Sequence, residues 1–457
     1  MAFISNKRNP SVTTGKLWSN IWQISWPMLL IMILQFLVGI TDIYVAGLIS
    51  SEVQAAVGFI SQLYFLVIII GNAISIGTVS LVSKAVGAGN VPHALWNAKQ
   101  SMLFGFLISV ALALIIGLFF RQIITATGFP VEIRSIAEIF LQIFTVALVP
   151  NYLLVISNAV FRAGGAVKIP LLSMFVFCIV NVLGDFGFVF GRFGLPLLGF
   201  SGIAVATAVA ATIGMIVNLV FMIRLPWRGL YMSSWRIRWR AVQIIVRLSW
   251  PAAMLQIAWN AGSIVLYNIL GRLGESSITA LAAITNGLRI EAIIFLPAFA
   301  FNMAASVLVG QNLGAGRAER AERIGWQIAI VGMIFVSVMA AVIFVGAEYC
   351  AAFFTADRAV LEETTRYLRI NMFSEPFMAL SLVLVGGLQG AGDTRGTMWV
   401  IVVAMWLIRL PLAYGLVFLA GFGATGAWIA MVSSMIMQGL LMARRFRSGY
   451  WKTITVH

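Results

Sequence analysis

Cysteine, histidine and charged residues are scarce in this sequence, and each shortage excludes a class of protein. The chain of 457 residues has 2 cysteines, Cys178 and Cys350, and 2 histidines, His93 and His457. These four residues show no metal-ligand spacing, so we expect no disulfide framework, metal centre, histidine-based catalysis or cofactor. Only 10% of the residues are charged and 61% are hydrophobic. That composition excludes a water-soluble globule.

Long hydrophobic stretches recur from Ile21 to Arg444, separated by short loops rich in glycine, arginine and proline. A bilayer core of about 30 Å is spanned by roughly 20 apolar residues in a helix. The pattern predicts an all-α integral membrane protein with twelve transmembrane helices. The longest runs, such as Ile278 to Gln311, are expected to tilt, kink or project beyond the membrane. Residues 1–20 are polar and show no signal peptide.

Basic residues are distributed unevenly between alternate loops. With the N-terminus on the cytoplasmic side, 21 of the 30 lysines and arginines fall in inner segments and 7 in outer loops. This bias predicts that both termini are cytoplasmic, and it accounts for the net charge of +15. The basic residues are spread over seven segments and form no compact patch, so we expect no nucleic-acid partner.

The second half of the chain is a diverged copy of the first. Four landmarks recur in the same order, at offsets of 224 or 227 residues. Duplicated membrane halves are typical of secondary transporters, whose site opens to either side in turn. The paired landmarks are Ser25–Pro27 with Ser249–Pro251, Gly87–Gly89 with Gly314–Gly316, Phe161–Lys168 with Leu388–Arg395, and Gly199–Gly202 with Gly423–Gly426.

The repeat predicts two six-helix bundles, an N-lobe and a C-lobe, related by a pseudo-two-fold axis along the membrane normal. We assign residues 1–20 to a cytoplasmic tail, 21–223 to the N-lobe and 224–247 to a basic cytoplasmic linker. Residues 248–443 form the C-lobe, and 444–457 form a cytoplasmic tail.

Four polar residues are predicted to converge in one layer of the N-lobe. At a helical rise of 1.5 Å per residue, Asp42 on the first helix and Asp185 on the fifth reach similar depth. Asn181 shares a helix face with Asp185, and Thr207 lies two turns down the sixth helix. Charges at this depth cost about 2.5–3.5 kcal/mol each, so they are functional candidates. Carboxylate, amide and hydroxyl oxygens suit a proton or Na⁺.

The repeat strengthens this hypothesis, because every member of the set is apolar in the other copy. The alternative is that these side chains form only helix–helix hydrogen bonds, which membrane proteins also use. That alternative stays open, most of all for Asn181 and Thr207. At the measured offsets the four positions correspond to Leu266, Ile408, Leu412 and Met431.

The C-lobe has its own charges at membrane depth, namely Arg289, Glu291, Glu375 and Arg409. We expect them to meet as a neutralised network. A structural or gating role is favoured over direct contact with substrate, because buried ion networks are often architectural.

A further set of polar, aromatic and methionine side chains could line a central substrate cavity shared by the lobes. Packing or anchoring at the membrane interface is the alternative for each of them. The set consists of Gln35, Tyr44, Asn151, Asn158, Met254, Gln256, Trp259 and Asn260.

Three segments resemble the multidrug and toxic compound extrusion (MATE) family, namely Val309–Gly316 (VGQNLGAG), Leu388–Arg395 (LQGAGDTR) and Asn158–Ala163 (NAVFRA). The resemblance covers roughly residues 20–443. It implies an outward-facing V of two six-helix bundles in the bacterial inner membrane. It also implies export of organic cations or other amphipathic compounds in exchange for H⁺ or Na⁺.

Within that family, Gly39–Asp42 (GITD) and Asn181–Asp185 (NVLGD) resemble the DinF-like branch. The resemblance assigns the coupling-cation site to Asp42, Asn181, Asp185 and Thr207. The NorM-like branch carries an acid midway along the seventh helix, where this chain has Gln256–Asn260. A C-lobe Na⁺ site of that type is therefore not expected. Proton coupling is favoured, although the same N-lobe ligands could hold Na⁺.

We therefore predict a monomeric antiporter, not an enzyme, that exports amphipathic and cationic compounds by alternating access. The alternative is a flippase for a lipid-linked precursor, which has similar architecture. Such a flippase would be expected to carry more basic residues in its cavity to meet a pyrophosphate. Here Arg289 and Arg409 are the only basic residues within the predicted helices, and both have acids nearby.

Overall fold

The described part of the chain is entirely helical. A computed structural model describes residues 15–126, 131–224, 229 and 236–454, and every regular element in these ranges is a helix. The predicted all-α fold is confirmed. Lys7 and Arg8 of the expected N-terminal tail, Arg228 of the expected linker and the terminal His457 lie outside the described residues.

Six long helices make up the first half, and the second half has shorter pieces as well. Helices α1 to α6 are Leu17–Ile49, Ser51–Gly87, Val91–Ala126, Val131–Ala163, Lys168–Phe190 and Ser201–Arg224. Helices α7 to α12 are Trp239–Gly271, Ser277–Gly314, Ala318–Val345, Ala347–Ala352, Arg358–Asn371 and Glu375–Gly390. Helices α13 to α15 are Thr394–Val402, Leu410–Tyr414 and Gly423–Arg447, and π-helical stretches Val403–Arg409 and Gly415–Leu419 follow α13 and α14.

The expected twelve spans are accounted for when one bent pair is counted as a single span. In the described ranges, 11 helical segments are long and apolar enough to cross a membrane, and α13 to Leu419 counts as one of them. Helices α11 and α12 meet at 57° and pass the same test only together. The long run from Ile278 to Gln311 falls in α8, a helix of 38 residues with Pro297 inside it.

The chain separates into two compact units. The first contains Trp26–Ser249, and the second contains Lys16–Ser25 together with Trp250–Val456. Each unit has a hydrophobic core of its own. The first core includes Phe140 and Phe144 of α4, and the second includes Tyr367 of α11 and Trp428 of α15.

Small residues let helices in each unit pack backbone to backbone. A Cβ added at Gly184 of α5 would lie 2.9 Å from the Cβ of Ala206 on α6. In the second unit, a Cβ at Gly386 of α12 would lie 2.7 Å from the carbonyl carbon of Asn302 on α8. Close approach of this kind is how membrane helices gain dispersion energy, since lipid supplies no hydrophobic drive for association between helices.

The first helix of each half differs from its neighbours. None of the extensively packed helix pairs in the described ranges includes α1 or α7, whereas α5 packs along α6 and α8 along α12. Pro27 lies inside α1 and Pro251 lies inside α7, at equivalent positions of the repeat. Proline removes a helical hydrogen bond and weakens the helix at that point. Their side chains are nevertheless packed, since Val45 and Ala46 of α1 are fully buried in the first core and Leu270 of α7 is fully buried in the second.

Candidate functional site

The structure brings together the four polar residues predicted for the first half. The Asp42 side chain lies within hydrogen-bonding reach of Asp185 and Asn181. The Asn181 amide nitrogen donates to the Thr207 hydroxyl at 3.2 Å, and that hydroxyl donates to the carbonyl of Ile203 at 3.1 Å. Helices α1, α5 and α6 therefore contribute to one polar cluster inside the first unit.

The cluster has more acceptors than donors. Asp185 and Asn181 are fully buried, at 0% exposure, and Asp42 is partly buried. Four oxygen atoms have no hydrogen-bond donor: Oδ1 of Asp42, Oδ1 of Asn181 and both carboxylate oxygens of Asp185. Two carboxylates that face each other are both acceptors, so they cannot bond without a proton between them. Buried acceptors without donors each cost about 1–3 kcal/mol, and a bound proton or cation would remove that cost.

Tight packing of α5 against α6 sets the position of the cluster. Gly184 precedes Asp185 and touches Ala206, the neighbour of Thr207. A Cβ at Gly202 would also meet the α5 backbone, 2.7 Å from the carbonyl carbon of Phe188. The two helices are thus held together on both sides of the polar residues, so the arrangement of Asp185 and Thr207 is rigid. Asp42 lies on α1, outside this closely packed helix pair.

The equivalent positions of the second unit are apolar in space as well as in sequence. Leu266 and Met431 belong to its buried hydrophobic core, and Leu412 packs against that core. Three of the four equivalent positions therefore belong to the apolar core of the second unit or pack against it. The first unit gives up that packing for two buried acids, which favours a functional role over a structural one.

A second group of buried charges lies elsewhere in the second unit. Glu291 of α8, Glu375 of α12 and Arg409 are buried, at 3%, 3% and 4% exposure. The guanidinium of Arg409 donates to the Ser434 hydroxyl at 2.8 Å and lies 5.0 Å from the centre of the Trp259 ring. It interacts electrostatically with Glu291 but forms no ion pair within 4.0 Å among the described residues.

Arg289 does not belong to this buried group, which corrects the expectation from the sequence. Its side chain is exposed, whereas Glu291 two positions later is buried. The physical reason is helical geometry, because residues i and i+2 point to different sides of a helix. The charged residues that do meet in the second unit are Glu291, Glu375 and Arg409.

The family model MatE matches residues 27–186 and 251–415, which is most of the chain and both halves of the repeat. The chain belongs to the MatE family. It is 27% identical over 423 residues to a Thermotoga maritima protein named probable multidrug resistance protein NorM, with 92% of this chain and 90% of the relative covered. It is 23% identical over 438 residues to the Bacillus subtilis uncharacterized transporter YisQ, covering 94% of each.

A solved structure supports the fold. A mutant of the Vibrio cholerae MATE transporter VcmN superposes with a TM-score of 0.85 at 21% identity, covering 96% of this chain and 99% of the other. As a member of the MatE family, with relatives named as multidrug resistance proteins, the protein is a multi-pass membrane transporter and not an enzyme. No group of three or more histidine, cysteine, aspartate or glutamate side chains that could hold a metal ion occurs among the residues searched, which are the described ones.

The residues expected to line a substrate cavity fall into different environments. In the first unit Gln35 and Tyr44 are exposed on α1, and Asn151 is partly buried. Four residues lie on α7 of the second unit: Met254 is exposed, whereas Gln256, Trp259 and Asn260 are partly buried.

Asn158 has a more specific setting than a cavity wall. It is 8% exposed, and its amide oxygen accepts from Asn218 at 2.8 Å and from Ser173 at 3.1 Å. Asn218 also donates to Ser157 at 2.8 Å. These contacts join α4, α5 and α6, so Asn158 holds helices together.

Tyr367 is the site residue that sequence reasoning missed. It is fully buried beside Glu291 and interacts with Glu375 and Arg409. The Asn158 partner Asn218 was missed as well. Both residues depend on contacts between helices far apart in sequence. The available signal was the burial that their helix faces imply, which is weak for a single tyrosine or asparagine.

Proposed function

We propose that this MATE transporter exports amphipathic, cationic organic compounds in exchange for protons, with Asp42 and Asp185 as the coupling site. The observation that carries this proposal is the group of four buried oxygen atoms without donors at Asp42, Asn181 and Asp185. No basic side chain forms an ion pair with either aspartate in the described part of the chain. The negative charge of the pair must therefore be neutralised by something the transporter binds.

A proton fits this site better than Na⁺. A shared proton turns the facing pair Asp42 and Asp185 from two acceptors into a donor and an acceptor, which repairs the mismatch directly. Na⁺ is the alternative, because the four oxygens and the Thr207 hydroxyl are hard ligands of the kind such ions prefer. The amide nitrogen of Asn181 already donates to the Thr207 hydroxyl, so one lone pair of that oxygen is not available to coordinate Na⁺. This favours the proton.

Proton binding would act on α1, which carries Asp42 and whose backbone does not approach other helices as closely as α5 approaches α6 in the described ranges. Protonation changes the interaction of Asp42 with Asp185 and so changes the position of α1 that is most stable. A ligand shifts such an equilibrium only through unequal affinity for the two states. One proton moving through 100 mV supplies about 2.3 kcal/mol, which is enough to change the population ratio of the two states by a factor of about fifty.

We propose that the exported compounds contact the exposed Gln35 and Tyr44 in the first unit and Met254, Gln256 and Trp259 in the second. Aromatic rings attract organic cations, and methionine adapts to ligands of varied shape. The family relatives carry names of multidrug resistance proteins. Asn151 and Asn260 are partly buried and would contribute polar contacts.

The orientation follows from the distribution of basic residues. We propose that both termini are cytoplasmic, that the basic segment 224–247 is a cytoplasmic linker whose last residues, from Trp239, form the start of α7, and that the protein works as a monomer in the bacterial inner membrane. Inner segments with 21 basic residues against 7 in outer loops support this orientation. Labelling of single cysteines introduced at Arg358 and Arg444 with a membrane-impermeant thiol reagent tests it. The cysteine of Arg358→Cys should react with reagent added outside, and the cysteine of Arg444→Cys should not.

Efflux from proteoliposomes tests the coupling. Ethidium or Hoechst dye would be followed under an imposed pH gradient or an imposed Na⁺ gradient. Wild-type protein is compared with Asp42→Asn and with Asp357→Asn, a control at an exposed aspartate. Efflux driven by the pH gradient alone, weakened in Asp42→Asn and unchanged in the control, is the expected result.

Two other outcomes point elsewhere. Efflux driven only by a Na⁺ gradient would support the transporter function but would identify Na⁺ as the coupling ion. Absence of gradient-driven efflux for every cationic dye, with Asp42→Asn equal to wild type, would favour the lipid-linked-precursor flippase. That alternative is then tested by turnover of lipid-linked oligosaccharide in a depletion strain.

A further inference from the structure

The buried cluster of the second unit has one negative charge too many. Glu291 and Glu375 supply two carboxyl groups, and Arg409 supplies a single guanidinium. Oε1 of Glu291, Oε2 of Glu375 and the hydroxyl of Tyr367 have no hydrogen-bond partner of normal geometry. All four side chains are at most 4% exposed. An uncompensated charge at this depth is costly, so a buried cluster is stable only when its charges balance.

The positions of the side chains in this cluster are fixed by the packing around them. Gly287 lies one turn before Glu291 on α8, and a Cβ there would collide with the Tyr367 ring. The Tyr367 ring packs edge-on against Trp428, with ring centres 4.8 Å apart. Arg409 ends a π-helical stretch and is fixed by Ser434. Departures from α-helical geometry of this kind occur frequently at functional sites.

The two glutamates are not equivalent. Arg409 interacts with Glu291 and with Tyr367, so Glu291 is the carboxylate that faces the positive charge. Within the described part of the chain, the charged neighbour that acts on Glu375 is Glu291, which is negative. Of the two groups, Glu375 therefore gains least from being ionised.

We propose that the second unit binds one proton between Glu291 and Glu375, with Glu375 as its carrier, independently of Asp42 and Asp185. A metal ion fits poorly, because the guanidinium of Arg409 already supplies a positive charge and would repel it. The bound proton leaves Glu375 neutral and Glu291 ionised toward Arg409, so the cluster has no net charge.

Few other charged groups surround this pair. On α11, Glu363 lies one turn before Tyr367, accepts from the Trp428 indole at 2.8 Å and pairs with Arg366 at 2.7 Å. Its charge is thus already balanced. On α8, Arg289 is exposed and points away. From α7 and α15 the cluster meets the uncharged Trp259 and Ser434.

The position of Glu375 connects the proton to the shape of the unit. Glu375 is the first residue of α12, at the bend where α11 and α12 meet at 57°. Loss of the proton would leave Glu291 of α8 and Glu375 at this bend both negatively charged, and the two interact electrostatically. Their repulsion would push the start of α12 away from α8. Protonation is therefore expected to stabilise the bent arrangement.

Infrared difference spectroscopy of the full-length protein in lipid nanodiscs tests the proposal through the carbonyl stretch of protonated carboxyl groups. The experiment uses an Asp42→Asn, Asp185→Asn background, so that the first unit contributes no such band. In that background one protonated carboxyl is expected at neutral pH. Glu375→Gln should remove the band, and the control Glu362→Gln, an exposed acid paired with Arg358, should leave it.

Thermal midpoints separate a protonated Glu375 from an ionised one. Glutamine resembles a protonated glutamate, so Glu375→Gln should leave the midpoint at neutral pH unchanged, whereas Glu291→Gln should lower it. A band that survives Glu375→Gln, or equal losses of stability in the two variants, would overturn the proposal.

A further variant covers the case in which Glu375→Gln fails to fold. Arg409→Gln removes the positive charge and should raise the signal from one protonated carboxyl to two. An unchanged signal in Arg409→Gln would refute the proposal. None of these readouts depends on transport, so the proposal can fail while the proposed coupling site in the first unit stands.

Discussion

Replacement of Asp185 by asparagine should make the protein more stable and should weaken its coupling to protons. Asp185 is fully buried, and neither carboxylate oxygen has a donor. Asparagine has the same shape but carries no charge, and its amide nitrogen can donate to Oδ1 of Asp42 or of Asn181. The substitution therefore removes a buried charge and repairs an acceptor without adding volume.

The expected gain follows from two magnitudes. A buried acceptor without a partner costs about 1–3 kcal/mol. An aspartate at membrane depth costs about 2.5–3.5 kcal/mol on insertion scales. Protonation already removes part of the second cost in the wild type, so the net gain for Asp185→Asn is about 1–3 kcal/mol. The gain should be largest in alkaline buffer and should shrink toward acid pH, because the protonated aspartate then resembles asparagine.

The assay is the thermal midpoint in lipid nanodiscs, measured across pH beside dye efflux driven by a pH gradient. The matched control is Asp357→Asn, at an exposed aspartate that caps α11 by accepting from the Val360 amide at 3.1 Å. Asparagine caps helices as well as aspartate does, so this control should change neither midpoint nor efflux. A lower midpoint for Asp185→Asn would refute the reasoning, because it would mean that the carboxylate stabilises the fold.

Three further predictions concern packing and ion pairing in the second unit. Gly386→Ala should destabilise the protein by about 1–3 kcal/mol, because α12 must move away from the α8 backbone. The control Gly39→Ala, on α1 of the first unit with open space around it, should be neutral or stabilising by up to about 1 kcal/mol. Thermal midpoints of the two variants and the wild type give the comparison. Trp451→Ala should cost the C-terminal segment about 3–5 kcal/mol of docking energy, seen as faster limited proteolysis of the C-terminus, because the indole is fully buried. Asp393→Asn should lower the thermal midpoint by the equivalent of about 1–3 kcal/mol, less than for a fully buried pair, because Arg445, bonded at 2.8 and 3.1 Å, is 32% exposed.

The sequence predicts the membrane fold well because the bilayer imposes one strong rule. Each span needs about 20 apolar residues, and all backbone groups must bond within a helix. The 57° bend between α11 and α12 was not predicted, because hydropathy does not register a change of direction. The pair Glu375 and Pro376 carries the missed signal, since the residue before a proline disfavours the helical region.

The sequence predicts which polar residues lie together where helical geometry alone is sufficient. Asp42, Asn181 and Asp185 meet because the rise per residue sets depth and a spacing of four sets a common face. The same geometry separates Arg289 from Glu291, a consequence that the sequence reasoning did not apply. Tyr367 joins its cluster through contacts between α8 and α11, and no local pattern encodes such contacts.

The two units share a repeat but differ in how many charges they leave uncompensated, and this difference determines how coupling should be measured. The first unit has two aspartates and, among its described residues, no cation paired with them, so its neutral state requires up to two protons. A variant such as Asp42→Asn still leaves Asp185, which can take one proton. Its efflux should therefore fall without vanishing, and only Asp42→Asn combined with Asp185→Asn removes the site. In the second unit Arg409 supplies one positive charge, so a single proton is enough. A comparison of the wild type with single variants alone would therefore underestimate the number of protons that the first unit binds.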